Sequence, residues 1–162
     1  DFTSEKRFQH DNFYWNYRIS GLQAALGKSQ INDMDKTIKN KISQGNYYQE
    51  LLKDQEDLIQ LPLKEANGVQ NNYWVFGILL KKENIREKVT EELYKNGIET
   101  RPFFWPLHLQ KALLRGNESN DRLIVSENLG VNGFYIPMGE HVNKKTQKFI
   151  ITTLINSIKK NS

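Results

Sequence analysis

The stretch YWVFGILL, Tyr73 to Leu80, constrains this chain more than any other. Eight nearly unbroken apolar residues are too few for a bilayer span and too many for a loop. They predict a central β-strand buried on both faces. A strand of that kind needs neighbours, and the chain supplies only short ones. Leu58–Leu61 is closed by Pro62, Ile98–Arg101 runs into Pro102, and Phe134–Pro137 follows a glycine pair. KEANGVQNN before the central strand reads as a turn-rich loop.

The remaining apolar residues follow the helical period. From Ile19 they fall at 22, 26, 31, 34, 38 and 42, then at 47, 48, 51 and 52. Ser20 suits the N-cap, and the spacing predicts one helix over 20–53 with Gly45 as its weak point. So long a helix is expected to bridge two bodies. Asn84 to Asn96 reads as a second helix with Asn84 and Glu87 as a capping box, a buried stripe of Ile85, Val89 and Leu93, and Gly97 as its stop. A short helix is predicted over Leu109–Leu114. Another is predicted over Arg122–Leu129, ended by Gly130 and Gly133. Asn143 should cap a last helix with the stripe Ile150, Leu154, Ile155 and Ile158. The order α-β-β-α-β-α-α-β-α implies an α+β fold, an α/β layer of one sheet with helices packed on a face. Residues 1–18 read as a tail or the end of another domain, 19–54 as the bridging helix, and 55–162 as a small domain. The start at Asp1 reads as a tail or a cut edge, with no charged-then-apolar leader.

Composition removes several function classes. No run of eighteen apolar residues is present, so no membrane span is expected. Zero cysteines exclude disulfides and thiolate metal sites and fit a reducing, cytoplasmic compartment. The net charge of +4 is scattered among interleaved Lys and Glu, with no basic stripe for nucleic acid. His10, His108 and His141 lie far apart, so no metal site is expected. No glycine-rich phosphate loop, nucleophile elbow or complete acid/base pair is visible, and the carboxylates lie mostly on solvated helix faces.

Two segments look over-specified for folding alone. In Trp15-Asn16-Tyr17-Arg18, Asn16 serves as a local turn residue and Arg18 stacks on the aromatics, or both donate to an anion such as a phosphate. In Thr100-Arg101-Pro102-Phe103-Phe104-Trp105-Pro106-Leu107-His108, two prolines stiffen an aromatic run. It is either a core-facing turn with a satisfied histidine or a rigid wall for a sugar or base, with His108 as a polar contact.

NYRISGLQAALGKSQI resembles the NYR-x-x-x-x-QAA-x-G-x-x-Q segment of the DegT/DnrJ/EryC1/StrS family of pyridoxal-phosphate-dependent sugar aminotransferases. NGIETRPFFWPLHLQ resembles the family's G-I-x-T-R-x-x-F-x-P-L-H-x-Q stretch, and LGVNGFYIPMG its closing segment. The three motifs stand in the family's order over about residues 12 to 158; Tyr14 stands where the family often has Gly. The resemblance implies the small C-terminal domain of a fold-type I enzyme, with a small, mostly antiparallel sheet, plus the bridging helix. It implies that the cofactor-bearing lysine lies upstream, since nothing here resembles that segment, so no catalytic residue is assigned and the chain alone should be inactive. It implies pyridoxal or pyridoxamine 5'-phosphate as cofactor and a homodimer with shared active sites. Asn16 would reach the cofactor phosphate of the neighbouring subunit, with Arg18 near the cofactor. His108, then Arg101, Phe103 and Phe104, would line the sugar-nucleotide pocket. The implied reaction converts a keto-deoxy sugar nucleotide to an amino sugar with glutamate as donor, and RPFF looks most like members acting on GDP-linked 4-keto-6-deoxy sugars. Two alternatives stay open: a pyridoxamine-phosphate-dependent sugar dehydratase of the same family, and a standalone dimerisation or binding domain.

Overall fold

The computed structural model describes residues 17–110 and 122–161. The chain divides at Asp35 into two compact units. In the first, helix α1 (Gly21–Ile31) opens on a capping box. The Ser20 hydroxyl accepts from the Gln23 amide at 3.3 Å, and the Gln23 side chain accepts from the Ser20 amide at 2.9 Å. α1 buries none of its residues; Leu22, Leu26 and Ile31 all face outward.

The single helix expected over 20–53 is two helices. A turn at Asn32–Asp33 separates α1 from α2 (Met34–Leu52), and Gly45 lies inside the continuous second helix. Two successive turn-forming residues interrupt the backbone ladder more effectively than one glycine.

The second unit, from Lys36 onward, holds the sheet. Strands β1 (Ile59–Gln60), β4 (Phe76–Leu80), β6 (Gly133–Ile136) and β5 (Arg101–Pro102) lie in the order β1-β4-β6-β5. Every pairing is antiparallel. The central strand is shorter than YWVFGILL because Tyr73 takes φ +50, outside the β region, with its amide donating to the Asn71 side chain at 2.8 Å. Its two faces are unequal. Phe76, Ile78 and Leu80 are buried, whereas Gly77 and Leu79 are half-covered. Pro102 sits in the edge strand β5, where its missing N–H costs no ladder bond. The expected loop at 64–72 is a hairpin of β2 (Glu65–Ala66) and β3 (Val69–Gln70), turned by Asn67 and Gly68, both at positive φ.

Helices cover one face of the four-stranded sheet. α3 (Arg86–Lys95) contributes Val89 and Leu93, α2 contributes Tyr48 and Leu52, and α5 (Lys144–Asn161) contributes Ile150, Leu154 and Ile158. Gly97 at φ +75 ends α3, as expected, with the Ile98 amide donating to the Leu93 carbonyl at 2.9 Å. Asn84 does not cap α3. It adopts φ +61, and Ile85 takes the cap position without a side-chain bond. Asn143 does cap α5, accepting from the Thr146 amide at 3.0 Å. Between Asn132 and β6 no loop intervenes, so α4 (Ile124–Asn132) passes through Gly130 and ends at Gly133.

Two polar ties fix α2 and α3 to α5. The Gln44 amide donates to the carbonyls of Gly139 and Val142, and Gln147 donates to the Gln44 carbonyl at 2.9 Å. Glu92 on α3 accepts from Lys160 at 2.8 Å and from Ser157 at 3.1 Å. The Lys160 hydrogen bond chiefly, helped by Ser157 and Asn161, holds the Glu92 carboxyl below the usual carboxylate range. Gly45 is required by contact: a Cβ there would collide with the buried Tyr73 ring. In an open helix, Gly→Ala gains about 1 kcal/mol; overpacking against a fixed ring costs about 1–3 kcal/mol or more.

Gly45→Ala should therefore lose about 2 kcal/mol of stability, read as a lower urea midpoint. Gly27→Ala in α1, with open space around it, should raise helicity instead. Because its pKa is depressed on folding, Glu92 stabilises above the ordinary glutamate range and loses that contribution as pH falls. Glu92→Gln should then flatten the fall in stability between about pH 5 and about pH 3, measured by urea titration at each pH.

Candidate functional site

The second over-specified segment folds across the sheet face that α2, α3 and α5 leave open. Strand register decides which side chains point there. Arg101 opposes Tyr135 and Pro102 opposes Phe134, so Arg101 and Phe103 share the open face with Tyr135, while Pro102 lies on the other face, exposed at the sheet edge. The Phe103 amide extends the ladder, donating to the Gly133 carbonyl at 3.1 Å. Its ring lies on two glycines of neighbouring strands. A Cβ at Gly77 would stand 2.6 Å from the ring, and one at Gly133 would also collide with it. The Tyr135 ring packs edge-on at 4.9 Å. Phe103 is thus half-buried in the sheet surface. Phe104, 71% exposed, and Trp105, 48% exposed, project outward.

The segment then turns through a short 3₁₀ helix, Leu107–Leu109. Pro106 starts it and packs on Gly130 of α4, where a Cβ would stand 2.8 Å from the proline ring. This places His108 beside α4. Its side chain is only 8% exposed, and Nε2 lies 3.2 Å from Oε1 of Glu127. Glu127 also accepts the Leu123 amide at 3.0 Å and pairs with Arg122 at 3.4 Å. The His108 hydrogen bond, with the Arg122 charge and the Leu123 amide, holds the Glu127 carboxyl below the usual carboxylate range. Arg101 pairs with Glu99 at 2.7 Å, both about three-quarters exposed, so that pair contributes little to stability.

Of the expected site residues, Arg101, Phe103, Phe104 and His108 stand on one short segment of the second unit. Arg18 stands two residues before the cap of α1, in the first unit. Asn16 lies outside the described residues, as does most of the helix predicted over Leu109–Leu114. His108 has a partner at Nε2 and Phe103 packs inward, whereas Phe104, Trp105 and Leu107 are exposed. The sequence reading missed Glu127. It lies nineteen residues from His108, and no local spacing links them. Two grooves mark the described residues of this unit, and only the first touches the segment. One of about 350 Å³ runs beside Phe103 and Leu129 to Trp74. Another of about 500 Å³, between α2 and the start of α5, includes none of the expected residues.

The implied cofactor calls for an enclosed lysine amine to meet its aldehyde. Among the described residues no lysine is buried; Lys41 is half-buried and donates to the Trp74 carbonyl at 3.2 Å. A cofactor phosphate suits the donors on Arg18 and Asn16, whereas an enclosed amine for its aldehyde is not among the described groups. No helix among the described residues is long and apolar enough to cross a membrane.

Phe103→Ala should lose about 2 kcal/mol of stability, because a half-buried ring leaves the sheet surface. Phe104→Ala should stay within about 0.5 kcal/mol, because that ring is exposed. Chemical denaturation of the two variants separates packing from wall.

Comparison with known proteins matches this geometry to a family. The sequence pattern of the DegT/DnrJ/EryC1/StrS aminotransferase family covers residues 2–155. A GDP-perosamine synthase of Vibrio cholerae is 38% identical over 108 residues, 64% of this chain and 28% of that protein. Another, from Escherichia coli O157:H7, is 30% identical over 132 residues, 82% of this chain and 34% of its own. Among solved structures, a sugar aminotransferase of Streptococcus pneumoniae superposes with TM-score 0.80 at 16% identity, covering 90% of this chain and 36% of that one. PseC of Helicobacter pylori, an aminotransferase involved in pseudoaminic acid biosynthesis, gives 0.77 at 16%, covering 92% and 40%. The chain therefore spans about a third of the two curated relatives, and its fold is that of a C-terminal small domain of such enzymes. By its sequence pattern over nearly all its length and by its α+β fold, the chain belongs to the DegT/DnrJ/EryC1/StrS aminotransferase family.

Proposed function

We propose that these residues form the C-terminal portion of a pyridoxal-phosphate-dependent nucleotide-sugar aminotransferase. The observation that carries this is the likeness to two GDP-perosamine synthases over 64% and 82% of the chain. The substrate is then a GDP-linked 4-keto-6-deoxy sugar, glutamate gives the amine, and the enzyme works in the cytoplasm as a homodimer. When bound, the cofactor supplies the electron sink for amine exchange. The chain's own residues bind and orient. Asn16 and Arg18 donate to the cofactor phosphate across the subunit boundary. Arg101 offers a charged fork and Phe104 a flat face to the nucleotide sugar, with Tyr135 edge-on to both Phe104 and Phe103. His108 contacts the sugar. The bare apolar surface of α1 supports a covered position in the assembled enzyme, since Leu22 alone is 84% exposed.

The test uses the protein encoded by the longest open frame that contains these residues, purified with pyridoxal phosphate. With glutamate and the GDP-linked 4-keto sugar it should form the 4-amino sugar, identified by mass spectrometry. The 162-residue chain alone should form none, and Asn16→Ala should weaken cofactor binding about tenfold. Turnover by the 162-residue chain, or no amino sugar from the longer protein, would overturn the reading.

A further inference from the structure

The least explained group in the described structure is the carboxylate of Glu127. It sits one turn into α4, four residues past Leu123, and gathers three donors from different sources. Oε1 receives the Leu123 amide and faces His108 Nε2, and Oε2 faces Arg122. An ionised carboxylate can only accept hydrogen bonds. The facing ring nitrogen must therefore carry a proton. In neutral His108 the proton sits on Nε2, and Nδ1 keeps its lone pair. Among the described residues, Nδ1 has no hydrogen-bond partner. The ring is only 8% exposed. His108 is held in a 3₁₀ turn whose first residue, Pro106, is seated on Gly130 of the same helix that carries Glu127.

We infer that Glu127 is the positioning residue for His108: by fixing the proton on Nε2 it presents Nδ1 as a hydrogen-bond acceptor, so His108 reads a hydroxyl of the sugar and not a phosphate oxygen. A phosphate needs donors, and in neutral His108 the nitrogen left open has none to give. The anion contacts are left to the guanidinium groups of the chain, whose protons are always present. This rests on the proposal that His108 faces the sugar nucleotide, but its first half concerns only the ring.

The first half is tested on the 162-residue chain, uniformly labelled with nitrogen-15, by long-range proton–nitrogen correlation of the imidazoles in alkaline buffer. His108 should show one tautomer, protonated at Nε2. Glu127→Ala should convert it to an averaged mixture. Glu127→Gln, whose amide oxygen still accepts, should retain much of the Nε2 preference and keeps the start of α4 paired. An Nδ1-protonated ring in the unaltered chain, or a Glu127→Ala spectrum with the tautomer unchanged, overturns the assignment. Should Glu127→Ala unfold, Glu127→Lys and the Gln variant decide it: a ring indifferent to both counts against Glu127.

The second half is read in the longer enzyme. Glu127→Ala and His108→Ala should each raise KM for the nucleotide sugar about three- to tenfold with kcat little changed, and the double variant should add nothing further. A substrate analogue lacking one sugar hydroxyl should bind all three variants and the unaltered enzyme alike. If the tautomer behaves as stated but His108→Ala leaves KM unmoved, the sugar contact fails while the positioning stands. If His108→Ala raises KM and Glu127→Ala moves neither KM nor tautomer, the positioning fails alone.

Discussion

The contact between Gly45 and Tyr73 holds the small domain to its helix. A helix that must approach a sheet this closely cannot carry a side chain at the crossing. Tyr73 fills the space that any Cβ would take, stacks on Phe76 at 5.7 Å, and Phe76 in turn meets Tyr48 at 5.0 Å. Tyr73 itself takes the left-handed conformation, and the Asn71 side chain satisfies its amide. The Tyr48 hydroxyl donates to the Pro137 carbonyl at 2.8 Å, and burial pushes its phenol pKa upward. The second half of α2, β4 and the end of β6 are thereby joined through three rings, and both the core face and the open face of the sheet take their orientation from that joint.

The open face follows by arithmetic of two. Once β4 places Phe76, Ile78 and Leu80 in the core, Gly77 and Leu79 must face the other way. Antiparallel register carries the same alternation into β6 and then β5. Arg101 and Phe103 reach the same side as Tyr135 for that reason alone. A one-residue slip would turn Arg101 to the core side of the sheet.

Helical stripes were legible in the sequence because burial follows the helical period: Val89 and Leu93, Ile150 and Leu154, and Tyr48 and Leu52 were all in view. Their interruptions were less so. Asn32–Asp33 breaks a pattern whose apolar spacing continues through the break, and periodicity reports faces, not hydrogen-bond ladders. Asn84 has the right chemistry for a cap but the wrong backbone angle. YWVFGILL looked longer than its strand because Tyr73 is buried without being extended. At the candidate site, the aromatic segment and His108 stood out by composition and by family likeness. Glu127 did not, because a carboxylate on a predicted helix is ordinary in sequence and becomes particular only when a chain turn nineteen residues away brings an imidazole to it.

The Phe103 ring rests on Gly77 and Gly133, which belong to paired strands far apart in the chain. Three positions therefore share one volume. No one of them can drift alone: a methyl at either glycine displaces the ring, and a smaller residue at 103 leaves a hollow that a side chain at 77 or 133 could occupy. Over evolutionary time the three should change as a set, so that the floor of the open face is inherited as a single trait and not residue by residue.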